Sequence, residues 1–122
     1  ELAAFNESLA QEQRITDLSA TLTSFSQTAE AIARLDLVIT CDTSVAHLAG
    51  AMGKPLMLIL RKHPDWRWHS DGERSYWYPS ARLYRQTTFD DWSHPATRIA
   101  RDLARLVKDT ANGTLRWEMR PR

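Results

Sequence analysis

The stretch Asp36 to Pro55, DLVITCDTSVAHLAGAMGKP, limits the folding choices of this chain more than any other. An apolar run, Leu37-Val38-Ile39, ends in Cys41-Asp42, and the hydroxylated pair Thr43-Ser44 leads into a segment of mostly small residues. Gly53 suits the left-handed position that ends a helix, and Pro55 cannot continue one. Leu56 to Leu60 is a second apolar run. In order, these are strand, turn, helix, turn and strand: a βαβ unit with two parallel strands and a crossover helix. Neither apolar run alternates, as expected of strands covered by helices on both faces. In such sheets ligands bind outside the carboxyl ends of the strands, so the turn Asp42-Thr43-Ser44 is the first place to look for a site.

The flanking sequence supplies the other elements. Leu2, Phe5 and Leu9 recur at helical spacing and predict an amphipathic surface helix over residues 2–12. Arg14 to Leu18 alternates polar and apolar and reads as a short strand. Ser24 followed by Gln27 fits a capping box that starts a helix running to about Leu35, with Phe25, Ala29, Ile32 and Ala33 as its buried stripe. The small residues Ala46, Ala49, Gly50 and Ala51 are expected to let the crossover helix approach the sheet closely. Residues 61–80 form a long loop carrying Trp66, Trp68, Tyr76, Trp77 and Tyr78, too aromatic for disorder. Ala81 to Gln86 alternates and reads as an edge strand. Ser93 or His94 caps a last helix with Pro95 in its first turn; Ile99, Leu103, Leu106 and Val107 face the sheet, and Asn112-Gly113 ends the helix. Residues 114–122 are a basic tail, so the lobe is expected over 1–113.

Composition closes off several classes. With 122 residues, 43% apolar and 25% charged, one folded domain is expected. A formal net charge of +1 gives no argument for nucleic acid as a partner. Cys41, the only cysteine, excludes an internal disulfide; within its apolar run it is expected to be a buried thiol of a reducing, cytoplasmic setting. No stretch approaches the roughly eighteen apolar residues of a membrane span. The chain starts at Glu1 without a signal-peptide pattern and is expected to be a piece of a longer protein.

The chemistry-bearing candidates gather around two segments. A helix N-terminus offers unpaired amides and a positive dipole end, which suits a phosphate; Thr43 and Ser44 add hydroxyls, and His47 lies one turn along the same face. The same residue types serve stability alone, since Asp, Thr and Ser are preferred N-caps and His47 suits a packed core position. Lys54 lies about 15 Å along the helix from that turn and is expected to complement the helix's carboxyl end instead. Asp65, Trp66, Arg67 and Trp68 follow the third strand's carboxyl end and suit a wall around a sugar or base, or else a loop clamped by its own tryptophans. His63 and His69 flank Asp65 without a metal-ligand spacing, so no metal site is expected. There is no Gly-x-Ser-x-Gly elbow and no glycine-rich phosphate loop. Arg98, Arg101, Arg105 and Lys108, with Asp102 and Asp109, read as a solvated helix face.

Taken together, Asp42 to Pro55 resembles the donor-side motif of bacterial glycosyltransferases of the heptosyltransferase type. It is most similar to the glycosyltransferase-like domain that follows tetratricopeptide repeats, where Asp-Trp-Arg-Trp and Trp-Tyr-Pro segments recur, matched here by Asp65 to Trp68 and by Trp77-Tyr78-Pro79. The resemblance runs from about Asp17 to Leu106. It implies half of a GT-B architecture: an α/β, Rossmann-like three-layer lobe with a mainly parallel sheet of about four strands. It further implies that Asp42, Thr43, Ser44 and His47 hold the diphosphate of a nucleoside-diphosphate sugar, with Leu22, Thr23 and Ser24 near the base or ribose. The donor is then a substrate, with no cofactor and no metal. Ser44 stands where heptosyltransferases usually carry glycine or another small residue, so donor identity does not carry over.

Two functions follow as expectations. One is the donor lobe of an inverting glycosyltransferase, not active alone, whose partner is an N-terminal lobe or a tetratricopeptide-repeat domain of the parent protein. The other is a non-catalytic module that binds a protein through the aromatic loop. Faces that normally meet a missing lobe would favour a homodimer.

Overall fold

A computed structural model describes residues 1–111 and Trp117. Its elements are α1 (Leu2–Glu7), α2 (Phe25–Arg34), β1 (Val38–Cys41), α3 (Ser44–Ala51), β2 (Leu56–Leu60), β3 (Ala81–Arg85) and α4 (Ser93–Ala111), with single 3-10 turns at Gln11–Gln13 and Trp66–Trp68. The strands form one parallel sheet in the order β1-β2-β3, pairing Val38 with Leu56 and Leu56 with Ala81. Successive side chains of a strand point to opposite faces, and the core divides accordingly. On one face Val38, Leu56, Leu58, Leu60, Ala81 and Leu83 pack with Ile32 of α2 and with Ala46 and Ala49 of α3. On the other, Met57 and Tyr84 pack with Ile99 and Leu106 of α4. This is the expected three-layer, Rossmann-like arrangement. Burial of β2 on both faces explains its unbroken apolar sequence.

The sheet has three strands among the described residues, not about four, because Arg14 to Leu18 pairs with nothing. The carboxamide of Asn6 takes the place of a neighbouring strand there: its Oδ1 accepts from the Ile15 amide at 2.8 Å and its Nδ2 donates to the Ile15 carbonyl at 2.7 Å. The predicted helix over 2–12 stops at Glu7. It buries none of its residues, and a short helix without a packed face has little to sustain it.

Helix α2 begins as predicted, with Ser24 Oγ accepting from the Gln27 amide at 3.2 Å. The reciprocal bond is shifted by one residue: Gln27 Oε1 accepts from the amide of Thr23 at 2.9 Å, not from that of Ser24. Of its expected stripe only Ile32 is fully buried; Phe25 is 66% exposed and Ala33 is also exposed. Lys54 serves a different helix from the one expected. Its Nζ donates to the carbonyls of Ala33 and Leu35 at 2.9 and 2.6 Å, closing the end of α2. Gly53, at φ 68°, ends α3 in the left-handed region as predicted.

Three expectations fail on the α4 face. Val107 is 61% exposed, and Leu103 only half-buried. Cys41 is exposed because α4 covers β2 and β3 and leaves that face of β1 bare, with Ile39 43% exposed beside it. The arginines of α4 are not merely solvated: Arg98 pairs with Glu73 and lies over the Tyr84 ring, and Arg101 pairs with Asp102 at 3.0 Å. The expected end of α4 at Asn112-Gly113 and the basic tail lie outside the described residues, Trp117 excepted. Among the described residues no helix is long and apolar enough to cross a membrane.

Beneath α4, the Tyr84 hydroxyl donates to Asp102 Oδ2 at 3.0 Å. Burial first, and then the charge of Asp102 and its hydrogen bond to that proton, push the Tyr84 pKa up to about 12. An unfolded tyrosine ionises near 10. Between these values the unfolded chain has lost the proton that the folded chain keeps, so stability falls as pH rises from about 10 towards 12. The loss expected is on the order of 1–2 kcal/mol after allowance for screening. Denaturant unfolding at pH 9, 10 and 11 should show this slope, and Tyr84→Phe should flatten it; an equal slope in both proteins would assign it elsewhere.

Candidate functional site

Because the three strands are parallel, their carboxyl ends share one edge, and the predicted site residues distribute around it. After β1 come Asp42 and Thr43, both exposed, and Ser44 opens α3. Thr43 occupies the N-cap position in extended conformation, yet its side chain makes no capping hydrogen bond; its Oγ1 lies 3.5 Å from that of Thr40. The hydroxyl is therefore not committed to the amides of the first turn. His47 is half-buried one turn later, its Nε2 3.9 Å from Asp42 Oδ1. Asp42, Thr43, Ser44 and His47 thus gather at one turn, as their spacing predicts.

After β2, the long loop folds back over α3. The 3-10 turn Trp66–Trp68 is capped by Asp65, whose Oδ1 accepts from the Arg67 amide at 3.1 Å and from its guanidinium at 2.8 Å. The amide of Arg67 foremost, with the guanidinium and His47 adding to it, holds the Asp65 carboxyl below the usual carboxylate range. The four residues expected to form a wall divide in two. Trp68 is fully buried and cannot face a ligand; its ring stacks under His47 with centroids 5.1 Å apart and planes at 24°. Trp66 is 67% exposed, carries the Arg67 guanidinium over its ring at 4.8 Å and meets Trp77 edge-on at 6.4 Å. Trp68 therefore clamps the loop, whereas Trp66 leaves most of its ring open to solvent.

Three residues that hold the site together were not singled out by sequence reasoning. Tyr78 places its hydroxyl 3.0 Å from Nδ1 of His47. Its ring lies directly over Gly50, where an added methyl would come within 2.7 and 2.8 Å of Cδ2 and Cδ1. Gly50 therefore admits the loop, not the sheet. Arg85, at the end of β3, spreads its guanidinium over the carbonyls of Trp68, His69, Asp71 and Gly72 and ties down the near half of the loop. Buried Ser75 orders the far half, its Oγ accepting from the amides of Trp77 and Tyr78 at 3.2 Å each. The recurring Trp-Tyr-Pro segment was a signal for Tyr78; Arg85 had none, since it reads as the polar side of an edge strand.

Leu22, Thr23 and Ser24 lie at the start of α2. The other end of that helix is tied to Lys54, just before β2. No hydrogen bond joins residues 22–24 to the Asp42–His47 turn among the described residues. Thr23 is engaged in the cap, and Leu22 lines a groove along α2 with Gln27 and Arg34.

A groove of about 880 Å³ opens elsewhere, between β3, α4 and residues 71–76. Its arginines are largely spent: Arg98 on Glu73, Arg101 on Asp102, and Arg82 over the Trp117 ring at 4.2 Å. The exposed Thr43 hydroxyl, which caps no amide, and the half-buried His47 are at the carboxyl edge instead, and that edge is the better candidate. Among the described residues no three His, Cys, Asp or Glu side chains come together as a metal site.

A parallel sheet with helices packed on both faces defines a Rossmann-like lobe. The chain belongs to glycosyltransferase family 9 (heptosyltransferase), whose family model matches residues 2–99. Comparison with curated proteins and with solved structures finds no match.

Proposed function

We propose that this lobe binds the donor of a glycosyl transfer, holding the diphosphate of a nucleoside-diphosphate sugar at the start of α3. The observation that carries the reading is the Thr43 hydroxyl, exposed and capping no amide, beside the first-turn amides and His47, within the region matched by the family. Developing negative charge on a leaving diphosphate would meet the helix dipole, the hydroxyls of Thr43 and Ser44, and the His47 ring. Asp65, Trp66 and Arg67 would wall the sugar, and Leu22 to Ser24 would lie towards the base. The transfer is read as inverting and metal-independent. A second lobe, of the parent protein, would supply acceptor contacts and the base, placing this chain as the C-terminal half of a GT-B pair beside tetratricopeptide repeats.

Calorimetric titration with UDP, ADP and GDP tests the reading; a folded sample that gives no heat with any of them overturns it. Thr43→Ala should leave the melting temperature unchanged, because no capping bond is lost. It should weaken nucleotide binding about tenfold, the worth of one hydrogen bond to a charged group. A fall in stability with unchanged affinity would return Thr43 to a purely structural role.

A further inference from the structure

We infer that Tyr78 is a positioning residue for His47, fixing which ring nitrogen carries the proton and aiming that proton at the Asp42–Thr43 turn. The 3.0 Å contact between the Tyr78 hydroxyl and Nδ1 permits either group to donate. The other ring nitrogen decides between them. Nε2 faces Asp42 Oδ1 at 3.9 Å, and a lone pair there would oppose the carboxylate, whereas an N–H would be attracted to it. Nε2 therefore carries the proton, Nδ1 accepts, and Tyr78 donates.

The rest of the arrangement serves the same end. The Trp68 ring, stacked at 24°, keeps the imidazole from tipping, and the edge of the Tyr78 ring meets it at 66°. Gly50 is the only residue type that leaves room for the Tyr78 ring at that height on α3. His47 thus projects a fixed N–H donor from a half-buried seat, the group an anionic oxygen at the α3 N-terminus would use. A ring free to exchange tautomers would present an acceptor part of the time, and an acceptor repels that oxygen. The inference rests on the diphosphate reading only for the identity of what receives the Nε2 proton.

Its test separates the two. Nitrogen-15 spectra of the free, full-length chain should show His47 protonated at Nε2 with a hydrogen-bonded Nδ1, and Tyr78→Phe should remove the Nδ1 signature while the fold persists. A proton on Nδ1 in the unsubstituted protein, or an Nδ1 signal indifferent to Tyr78→Phe, overturns the assignment. ADP affinity then supplies a double-mutant cycle: Tyr78→Phe should weaken binding about fivefold alone and change nothing in a His47→Ala background. Equal losses in both backgrounds would mean that Tyr78 acts without His47, and would overturn the positioning role. If ADP does not bind any of these proteins, the donor reading fails and the spectra alone decide on Tyr78.

Discussion

Replacing Arg85 with methionine is expected to lower stability by about 3 kcal/mol and to release the aromatic loop from α3. The side chain reaches four carbonyls, those of Trp68, His69, Asp71 and Gly72, with three of its bonds at 2.8, 3.0 and 3.0 Å. Each bond from a charged donor contributes more than a neutral one, but the four are not additive, because exposed carbonyls regain water once freed. Burial lowers the Arg85 pKa from its ordinary value, yet a guanidinium remains charged throughout the accessible pH range. Lysine should recover little of the loss, since one ammonium cannot span carbonyls that a planar fork reaches together. Urea unfolding measures the stability, and limited proteolysis between residues 69 and 76 reports the release. A variant within about 0.5 kcal/mol of the parent would show that Trp68 and Ser75 suffice to hold the loop.

Gly50→Ala is expected to destabilise where helix propensity alone predicts the opposite. Alanine in a helix interior is favoured over glycine by about 1 kcal/mol. Here its methyl would press into the Tyr78 ring, and overpacking of this kind costs about 1–3 kcal/mol. The net effect should be a loss of about 1 kcal/mol with displacement of Tyr78 from His47. The decisive comparison is a change of sign: with Tyr78→Ala already present, Gly50→Ala should stabilise. Thermal melts of the four proteins in this cycle provide the measurement. A stabilising Gly50→Ala in the parent chain would mean that the loop yields without cost, and that the Tyr78 seat is not built into α3.

What could be read in advance follows the range of the interactions concerned. The βαβ unit was legible because each signal is local: apolar runs for the strands, Thr43-Ser44 for a helix start, Gly53-Pro55 for its end. The capping pair Ser24 and Gln27 was legible for the same reason. The Arg14–Leu18 strand failed because alternation cannot reveal that a side-chain amide, from Asn6, already satisfies the backbone. Cys41 was misplaced because an apolar run does not show which faces a later helix will cover. At the site, Asp42, Thr43, Ser44 and His47 fall within a short stretch of sequence, residues 42–47, and lie together at the start of α3. Tyr78 meets His47 across 31 positions, and Arg85 meets Trp68 across 17. Nothing local to either residue encodes those meetings. For Trp68 residue type left a ligand wall and a loop clamp both open, and burial under His47 makes it the clamp.

That the side chain of Thr43 caps no amide of α3 has a consequence for how this lobe can change over generations. Most N-cap residues are held in place by the helix they start, so altering them costs stability whatever else they do. Thr43 carries no such debt to the fold, and neighbouring positions of the turn are open to solvent. This exposed turn can therefore drift, sampling different hydroxyl and small side chains, while folding stays intact. Tyr78, Trp68 and Arg85 have no such latitude, because each meets several others at once, and Gly50 has none because the Tyr78 ring lies over it. The lobe thus combines a replaceable surface turn with a locked histidine mount, so single substitutions at the turn can change its chemistry without first endangering the folded state.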